Sequence, residues 1–256
     1  MRFKSYSLKA LFFSVVCCFL AIGCNKIWDY IHHPGNTDFK ECNIKQLTMY
    51  NQYENGYIDT IPYTFTYNAF GNPVNITRPR VGTGNPDYLF KYDKYHRLSE
   101  MIKYYEGYHG YETWDKFYYN NKSQIVRDSG YGFGSIVDSV PQPSIGSGTI
   151  DFEYDAEGRI IQEIDSFYFR GVLNYARPIM YTYDAKGNLE GASYDDKLNM
   201  YRTNSVWMFI TRDYSVNNRF IAKQYNEHGL PLDFSEGFNP LLPIPSTETK
   251  VVYSCH

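Results

Sequence analysis

The chain has 256 residues, of which 43% are hydrophobic and 21% charged, and its formal net charge is −3. This composition excludes a disordered chain and offers no basic surface, so we expect no nucleic-acid partner. The mean hydropathy of −0.49 excludes a bundle of membrane helices. Aromatic residues make up 18% of the chain, with 27 Tyr and 17 Phe, and such rings favour β-structure.

The N-terminal segment has the features of an export signal. Three basic residues precede an apolar run at 10–22, which is too short to span a bilayer comfortably. The sequence LAIGC at 20–24 resembles the lipobox of bacterial lipoproteins, which implies that residues 1–23 are removed and Cys24 is acylated. Acyl chains on this cysteine would anchor the protein stably to a membrane. The alternative is an uncleaved signal anchor.

The residues after the lipobox predict a tether at 24–43. They contain Pro34, Gly35 and no sustained hydrophobic period. Asn25 follows the cysteine, and by resemblance to Gram-negative lipoproteins this favours the outer membrane as the location, with the leaflet left open. The remaining residues, 44–256, form the predicted folded domain.

Two cysteines remain in the predicted mature domain, Cys42 and Cys255. An even pair in an oxidising compartment is typical of one disulfide. Because Cys42 precedes the first predicted strand and Cys255 follows the last, this bridge requires the chain ends to be neighbours. Two free thiols are the alternative.

Six segments share a pattern of Tyr, Asp or Asn, two variable residues, usually Gly, a polar residue and an apolar one. Asp or Asn can bond its own backbone two residues on and Gly supplies a positive φ, so each segment predicts a hairpin turn. The turn residues are Tyr67, Gly71, Tyr92, Asp93, Tyr119, Tyr154, Asp155, Gly158, Tyr183, Asp184, Gly187, Tyr225 and Gly229. His96 and Ser123 replace the glycine in two copies, where we expect strain or a different turn.

The residues that precede each turn alternate with a period of two. Tyr63, Phe65 and Tyr67 share one face, and later repeats place aromatic residues at the same positions. The opposite face is mostly polar and includes Lys116 and Glu153, which argues against a lipid-facing band and so against a membrane-spanning barrel. The pattern leaves open whether the aromatic face is a dry core or a wet binding wall.

These repeats resemble the YD repeats of rearrangement-hotspot proteins, and more closely the lipoproteins whose YD-like domain is described as porin-like. The resemblance covers roughly residues 44–256. At Asn199-Met200-Tyr201 the chain departs from the Asn-Pro-Phe of that family, which puts the local turn in doubt. Membership implies an exported β-domain of unassigned activity and transfers no catalytic residue.

The sequence therefore predicts an all-β fold: an antiparallel meander of YD-type hairpins. About 12–14 strands exceed what an open twisted sheet usually holds, so we expect a strongly curved or closed, barrel-like sheet. Strands are expected at 177–184, 188–194, 219–226 and 230–234, among others. Residues 129–149 are predicted to be a long loop, and a short helix is expected around Trp207.

The sequence shows no motif for a cofactor, a metal ion or a nucleophile, and we predict none of these. Carboxylates two apart on strands, Glu153 with Asp155 and Glu163 with Asp165, could serve glycoside hydrolysis, although a solvated strand face also explains them.

The leading functional hypothesis is a lipid-anchored, non-enzymatic envelope protein whose Tyr-rich scaffold binds a glycan or a partner protein. Exposed aromatic rings would stack on sugars or anchor an interface, with Trp114 and Trp207 as the first candidates. Their alternative role is packing in the core. The competing hypotheses are a hydrolase of envelope or dietary polymer that uses paired carboxylates, and a structural accessory protein of an outer-membrane assembly.

Overall fold

The structure, a computed structural model, describes residues 39, 41–105, 107, 109–144, 146–219, 222–239 and 242–255. The predicted signal at 1–23, Cys24 and the tether up to residue 38 lie outside these ranges. None of the helices in the described ranges is long and apolar enough to cross a membrane.

The fold is all-β, as predicted, with 55% strand and 6% helix. The strands are β1 (Cys42–Gln52), β2 (Ile58–Tyr67), β3 (Pro73–Thr77), β4 (Asp87–Tyr92), β5 (Leu98–Tyr104), β6 (Gly110–Tyr119), β7 (Ile125–Val137), β8 (Val140–Pro141), β9 (Gly146–Tyr154), β10 (Ile160–Phe169), β11 (Val172–Met180), β12 (Asp233–Asn239) and β13 (Leu242–Cys255). A 3₁₀ helix (Met200–Thr203) and helix α1 (Ser205–Thr211) lie between β11 and β12.

All thirteen strands belong to one antiparallel sheet. Its order is β11-β10-β9-β7-β6-β5-β4-β3-β2-β1-β13-β12, and β8 pairs with β7 off this path. The first part is the predicted meander, whereas the last two strands pair on the far side of β1. The sheet is not closed, because β11 and β12 are its two edges.

The structure forms the predicted turn in all six repeats. The glycine-position amide donates to the Asp or Asn carbonyl, and the Asp or Asn amide donates to the carbonyl four residues on, at 2.8–3.2 Å. The Asp or Asn side chain accepts that fourth residue's amide as well, at 2.8–3.1 Å. His96 and Ser123, which replace glycine, have φ of 61° and 59°, so both carry the expected strain.

The repeat tyrosines are tied to the neighbouring repeat by their hydroxyl groups. In five of the six repeats, and at Tyr253, the hydroxyl donates to the backbone carbonyl of the residue that closes the preceding turn or begins the preceding strand, at 2.7–3.1 Å, whereas the Tyr225 hydroxyl donates to the Asp195 carboxylate. The pairs are Tyr67 with Ile44, Tyr92 with Pro73, Tyr119 with Leu98, Tyr154 with Ile125, Tyr183 with Ile160 and Tyr253 with Pro231. A phenylalanine cannot make this bond, which explains why these positions hold tyrosine.

The chain ends meet in the same arrangement as a repeat. Within a repeat, Tyr154 pairs with Ile160 and a bulge follows, and in the same way Tyr253 pairs with Ile44 next to a bulge. Asn43 pairs with Ser254, and Cys42 and Cys255 are the pair after that and form a disulfide, as predicted. The disulfide thus occupies the place of the missing turn between β13 and β1.

The aromatic face is a dry core where it surrounds α1. The Trp207 ring packs edge-on against Phe65 and Phe90, with ring centroids 5.5 and 5.7 Å apart. Further along the sheet, the Phe209 ring packs edge-on against Phe117 of β6 and Phe152 of β9. Asn204 caps the helix by accepting the amide of Val206 at 3.0 Å. The predicted helix around Trp207 is confirmed, and it fills the interior next to the turns.

Three expectations about the strands were wrong. Residues 129–149 are not a long loop, because β7 extends to Val137 and β9 begins at Gly146. Residues 188–194 form no strand: the backbone turns at Gly191, with φ of 91°. The described residues of 219–226 and 230–234 contribute only the isolated bridge between Tyr225 and Pro231 and the start of β12.

Candidate functional site

Four acidic side chains lie on the same face of the sheet as the aromatic core. Phe117 of β6 belongs to that core, and Asp115 is two residues before it, so the two side chains share a face. Asp128 of β7 pairs with Phe117, and Glu163 of β10 pairs with Phe152. Asp165 follows on the same face. The interior therefore holds acids as well as aromatic rings.

Three of these acids, Asp115, Asp128 and Asp165, line a cavity of about 460 Å³. Asp115 and Ile150 in its lining each lie two residues before a phenylalanine that contacts α1, Phe117 and Phe152 respectively. We call it the acid cavity; it is lined by Thr113, Asp115, Asp128, Gly130, Tyr131, Gly132, Phe133, Ser147, Gly148, Ile150, Asp165 and Phe167.

Glycines on adjacent strands make room for the cavity. Gly130 of β7 pairs with Gly148 of β9, and both line it. A methyl group on Gly130 would lie 2.8 Å from Asp115 Oδ1, so the carboxylate occupies the space that any other residue would fill. The glycine-rich sequence of β7 thus leaves the interior open at this level.

Two of the four acids are neutralised by arginine. Arg212, which ends α1, donates from Nε to Glu163 Oε2 at 2.9 Å, and the Tyr181 hydroxyl donates to Oε1 at 2.9 Å. Asp165 lies 3.4 Å from the exposed Arg177 guanidinium. These carboxylates have partners that stabilise the ionised form.

Asp115 and Asp128 have no such partner among the described residues. Asp128 is 7% exposed, and its Oδ1 is buried without a hydrogen bond. Asp115 receives only a long contact of 3.5 Å from Thr113 Oγ1. Because Asp115 pairs with Gly130, two residues from Asp128, the two carboxyl groups are diagonal neighbours on one face.

The surroundings hold the pKa of both groups above the usual range. Burial raises the pKa of Asp115 to about 6, although the positive charges of Lys103 and Arg212 oppose the shift. For Asp128, burial raises the pKa first and repulsion from Asp115 adds to it. Both groups therefore hold their protons to a higher pH than ordinary carboxyl groups do, and in the protonated form each can donate as well as accept a hydrogen bond.

The tryptophans predicted as exposed binding residues are both buried. Trp207 is 0% exposed in the core, and Trp114 is 5% exposed on the opposite face of the sheet. The Trp114 ring lies 5.2 Å from Tyr131, under Lys116 Nζ at 4.2 Å, and its Nε1 donates to Glu100 at 3.0 Å. Neither indole offers a face to a ligand, so core packing is the correct interpretation.

The two carboxylate pairs predicted from the sequence differ in where their side chains lie. Glu153 is exposed on the outer face, and Asp155 forms an ion pair with Arg159 inside its turn at 2.7 Å, so this pair does not converge. Glu163 and Asp165 do face the interior. Asp115 and Asp128 were not among the predicted site residues, although Asp115 continues the alternation that Phe117 and Tyr119 begin.

A second groove, of about 570 Å³, lies beside the first repeat turn and is lined by several asparagines. Their polar groups are already used: Asn68 Oδ1 accepts two turn amides, and Asn204 caps α1 and donates to the Gly71 carbonyl at 3.0 Å. The acid cavity differs because a buried carboxyl oxygen there, Asp128 Oδ1, has no hydrogen-bond partner among the described residues, and for this reason it is the stronger candidate site.

In the part of the chain that the structure describes, one group of three side chains is close enough to share a metal ion, namely Cys42, His228 and Cys255. Both cysteines are in the disulfide. The interior acids do not converge on a common point in this way.

No family model and no curated protein matches this chain. Solved structures do: a porin-like protein from Bacteroides uniformis is 9% identical, with a TM-score of 0.30, over 83% of this chain and 98% of that one. The toxin complex TcdB2-TccC3-TEV is 9% identical with a TM-score of 0.24, and TcdB2-TccC3-Cdc42 is 15% identical with 0.22. These two matches cover 74% and 75% of this chain, but only 11% and 10% of the matched toxin chains. These similarities are too weak to carry an argument about function.

Proposed function

We propose that this protein is a lipid-anchored outer-membrane protein that binds a ligand in the acid cavity and does not transform it. The observation that carries the proposal is the buried Asp128 carboxyl group, whose Oδ1 has no hydrogen-bond partner among the described residues, beside Asp115 in an open cavity that Phe133 and Phe167 also line. Pockets that bind small molecules combine mostly apolar walls with a few polar groups that orient the ligand. The lipobox-like sequence at 20–24 supports the anchor.

The ligand is a glycan unit or a side chain of a partner protein, as expected from an envelope location. The rings of Phe133 and Phe167 line the cavity and can contact the apolar face of either. A protonated carboxyl group of the pair can donate to ligand hydroxyl or amino groups, and an ionised one can accept from them.

A hydrolase is the second candidate, favoured by one observation. A carboxyl group with a pKa of about 6 next to another acid is the arrangement by which glycosidases supply a general acid. Against this, Asp128 is almost completely buried, and a glycosidic bond would have to reach between both carboxyl groups. Binding requires only that the ligand contact the open side of the pair.

The test is a thermal-shift and calorimetry screen of the mature domain against soluble glycans, amino sugars and short peptides. We expect a ligand that raises the melting temperature of the wild type and loses its effect in Gly132→Leu, which fills the cavity at a position with open space around it. A hit that binds both proteins equally well would place binding elsewhere.

The same samples, incubated and analysed by mass spectrometry, separate binding from hydrolysis. Under the binding proposal the ligand is recovered intact. Cleavage that is lost in Asp128→Asn but kept in Glu153→Gln, a control on the exposed face of β9, would identify a hydrolase instead. A screen in which no compound binds to the cavity would overturn both functions.

A further inference from the structure

The charges that face the acid cavity do not balance. Among the described residues, Arg212 is committed to Glu163 and Arg177 lies at Asp165, which leaves Asp115 and Asp128 facing a single further cation, Lys103. Lys103 Nζ lies 5.4 Å from the Tyr88 ring centre and forms no ion pair within the described ranges. When both carboxyl groups are ionised, this side of the cavity therefore lacks one positive charge.

The missing partner is expected at Asp128 in particular. A buried acceptor without a hydrogen bond costs about 1–3 kcal/mol, and more when it carries charge. Native proteins keep such a group where a ligand, an ion or a water molecule satisfies it. Asp128 Oδ1 is buried and unpartnered and its residue lines the cavity, so the unsatisfied atom belongs to the site.

A metal ion does not fit this arrangement. Calcium requires six or more oxygen ligands, and even a site with three ligands needs them to converge. In the described ranges the interior acids form no group of three within reach of one ion, whereas Cys42, His228 and Cys255 do. A cation that is larger than a metal ion and bonds through N–H groups suits two diagonal carboxylates better.

The walls of the cavity favour a cation with an apolar stem. Beside the carboxylates, Ile150 and Phe167 line the cavity. The paired glycines Gly130 and Gly148, which also line it, add no side chain there. Phe133 is 68% exposed and has a φ of 50°, a conformation that costs energy for a residue other than glycine. This strained backbone presents an aromatic ring at the rim, where it can cover a methylene chain or contact an ammonium group.

We infer that the acid cavity binds a primary alkylammonium group, with the nitrogen between the Asp115 and Asp128 carboxylates and the alkyl stem along Ile150 and Phe167. This inference rests on the proposed function that the cavity binds a ligand, and it adds the chemical class. A lysine side chain of a peptide and a free aliphatic diamine both supply this chemistry.

Calorimetric titration with matched probes tests the assignment. The ammonium probes are Nα-acetyl-lysine methylamide and cadaverine, which distinguish the peptide source from the free amine. The neutral counterpart is Nα-acetyl-norleucine methylamide, which has the same stem without the ammonium. We expect binding of at least one ammonium probe and roughly tenfold or more weaker binding of the neutral compound.

Two variants and the pH dependence of the affinity test the same assignment further. Asp128→Asn should weaken binding of the ammonium probe roughly tenfold or more, whereas Glu153→Gln on the outer face should leave the affinity unchanged. Since the pair must lose its proton to bind a cation, affinity should rise between about pH 5 and pH 8, with Lys103, Arg212 and Glu163 as the other charged groups facing Asp128.

The outcomes separate this inference from the proposed function. If N-acetylglucosamine or the norleucine compound binds in the cavity as well as the ammonium probes do, the cavity is a binding site and the cation assignment is wrong. If Asp128→Asn binds the ammonium probes with unchanged affinity, the assignment is also wrong. If none of the probes and no screened compound binds, both the inference and the proposed function fail.

Discussion

Removal of the disulfide should cost more stability than any other pair of substitutions in this chain. Cys42 and Cys255 are 213 residues apart in sequence, so reduction frees a loop that contains nearly the whole folded domain. In the chain-entropy model, a loop of this length corresponds to about 5 kcal/mol, although strain and residual structure reduce measured values. The double variant Cys42→Ala/Cys255→Ala is therefore expected to lose several kcal/mol.

Urea unfolding followed by circular dichroism measures this loss. With a urea dependence typical of small proteins, the midpoint of the double variant should fall by about 1.5–2.5 M. The wild type under a reducing agent should show the same shift, and the single variants should match the double variant. A shift of less than about 0.5 M would refute the reasoning, because the free energy would then not depend on loop closure.

A circular permutant tests whether the disulfide replaces a repeat turn. In this permutant two polar residues and a glycine replace Cys255 and Cys42 and join Ser254→Asp to Asn43. The new termini lie at the exposed loop residue Thr83. The result follows the repeat pattern, Tyr, Asp, two residues, Gly, a polar residue and Ile44. We expect it to recover at least half of the lost stability without a disulfide. A permutant as unstable as the double variant would contradict the equivalence.

Three further predictions concern the repeats and the acid cavity. Tyr154→Phe removes a hydroxyl bond to a backbone carbonyl and should cost about 1 kcal/mol in urea unfolding, whereas Tyr118→Phe, with its ring 50% exposed, should cost almost nothing. Ser123→Gly relieves a positive φ and should stabilise by about 0.5–1 kcal/mol, while Gly158→Ala should destabilise by a similar amount; the opposite signs would contradict the turn assignment. Asp115→Asn should stabilise by about 1–3 kcal/mol at pH 7 and not at pH 4, because an acid with a raised pKa in the folded state loses stability as the pH rises from about 4 to about 6. Equal effects of Asp115→Asn at both pH values would show that its pKa is not raised.

The repeats were the part of this fold that the sequence could predict. Each turn depends on local chemistry: an Asp or Asn that accepts backbone amides and a residue with positive φ three positions later. The alternation of aromatic residues before each turn likewise reports which side chains share a face. Because these signals lie within a few residues of one another, they can be recognised without knowledge of the tertiary structure.

The glycine-rich stretch of β7 and β9 could not be assigned correctly by composition. Gly130, Gly132 and Gly148 look like loop residues, since glycine weakens a strand. In the structure they face the acid cavity, where Gly130 leaves the space that the Asp115 carboxylate occupies. Their role depends on neighbours from other strands, and no local pattern reveals this.

Between β11 and β12 the short helix around Trp207 was predicted, but the strands expected on either side of it were wrong, and its position inside the sheet was beyond local reasoning. The residues after β11 have the composition of strands, but α1 and its flanking segments enter the interior of the curved sheet. What fixes this path is the packing of Trp207 and Phe209 against rings from β2, β4, β6 and β9. Helix propensity alone would not favour a seven-residue helix rich in β-branched and aromatic residues.

The central claim is that Asp115 and Asp128 form an unsatisfied carboxyl pair that a ligand completes. Carboxyl carbon-13 NMR of the mature domain, titrated without ligand and then with the best-binding probe, measures this directly. We predict that Asp115 titrates near pH 6 in the free protein, and that both groups become ionised at a lower pH when an ammonium ligand is bound. Titration of both groups in the ordinary range near pH 4, unchanged by any ligand, would contradict the account.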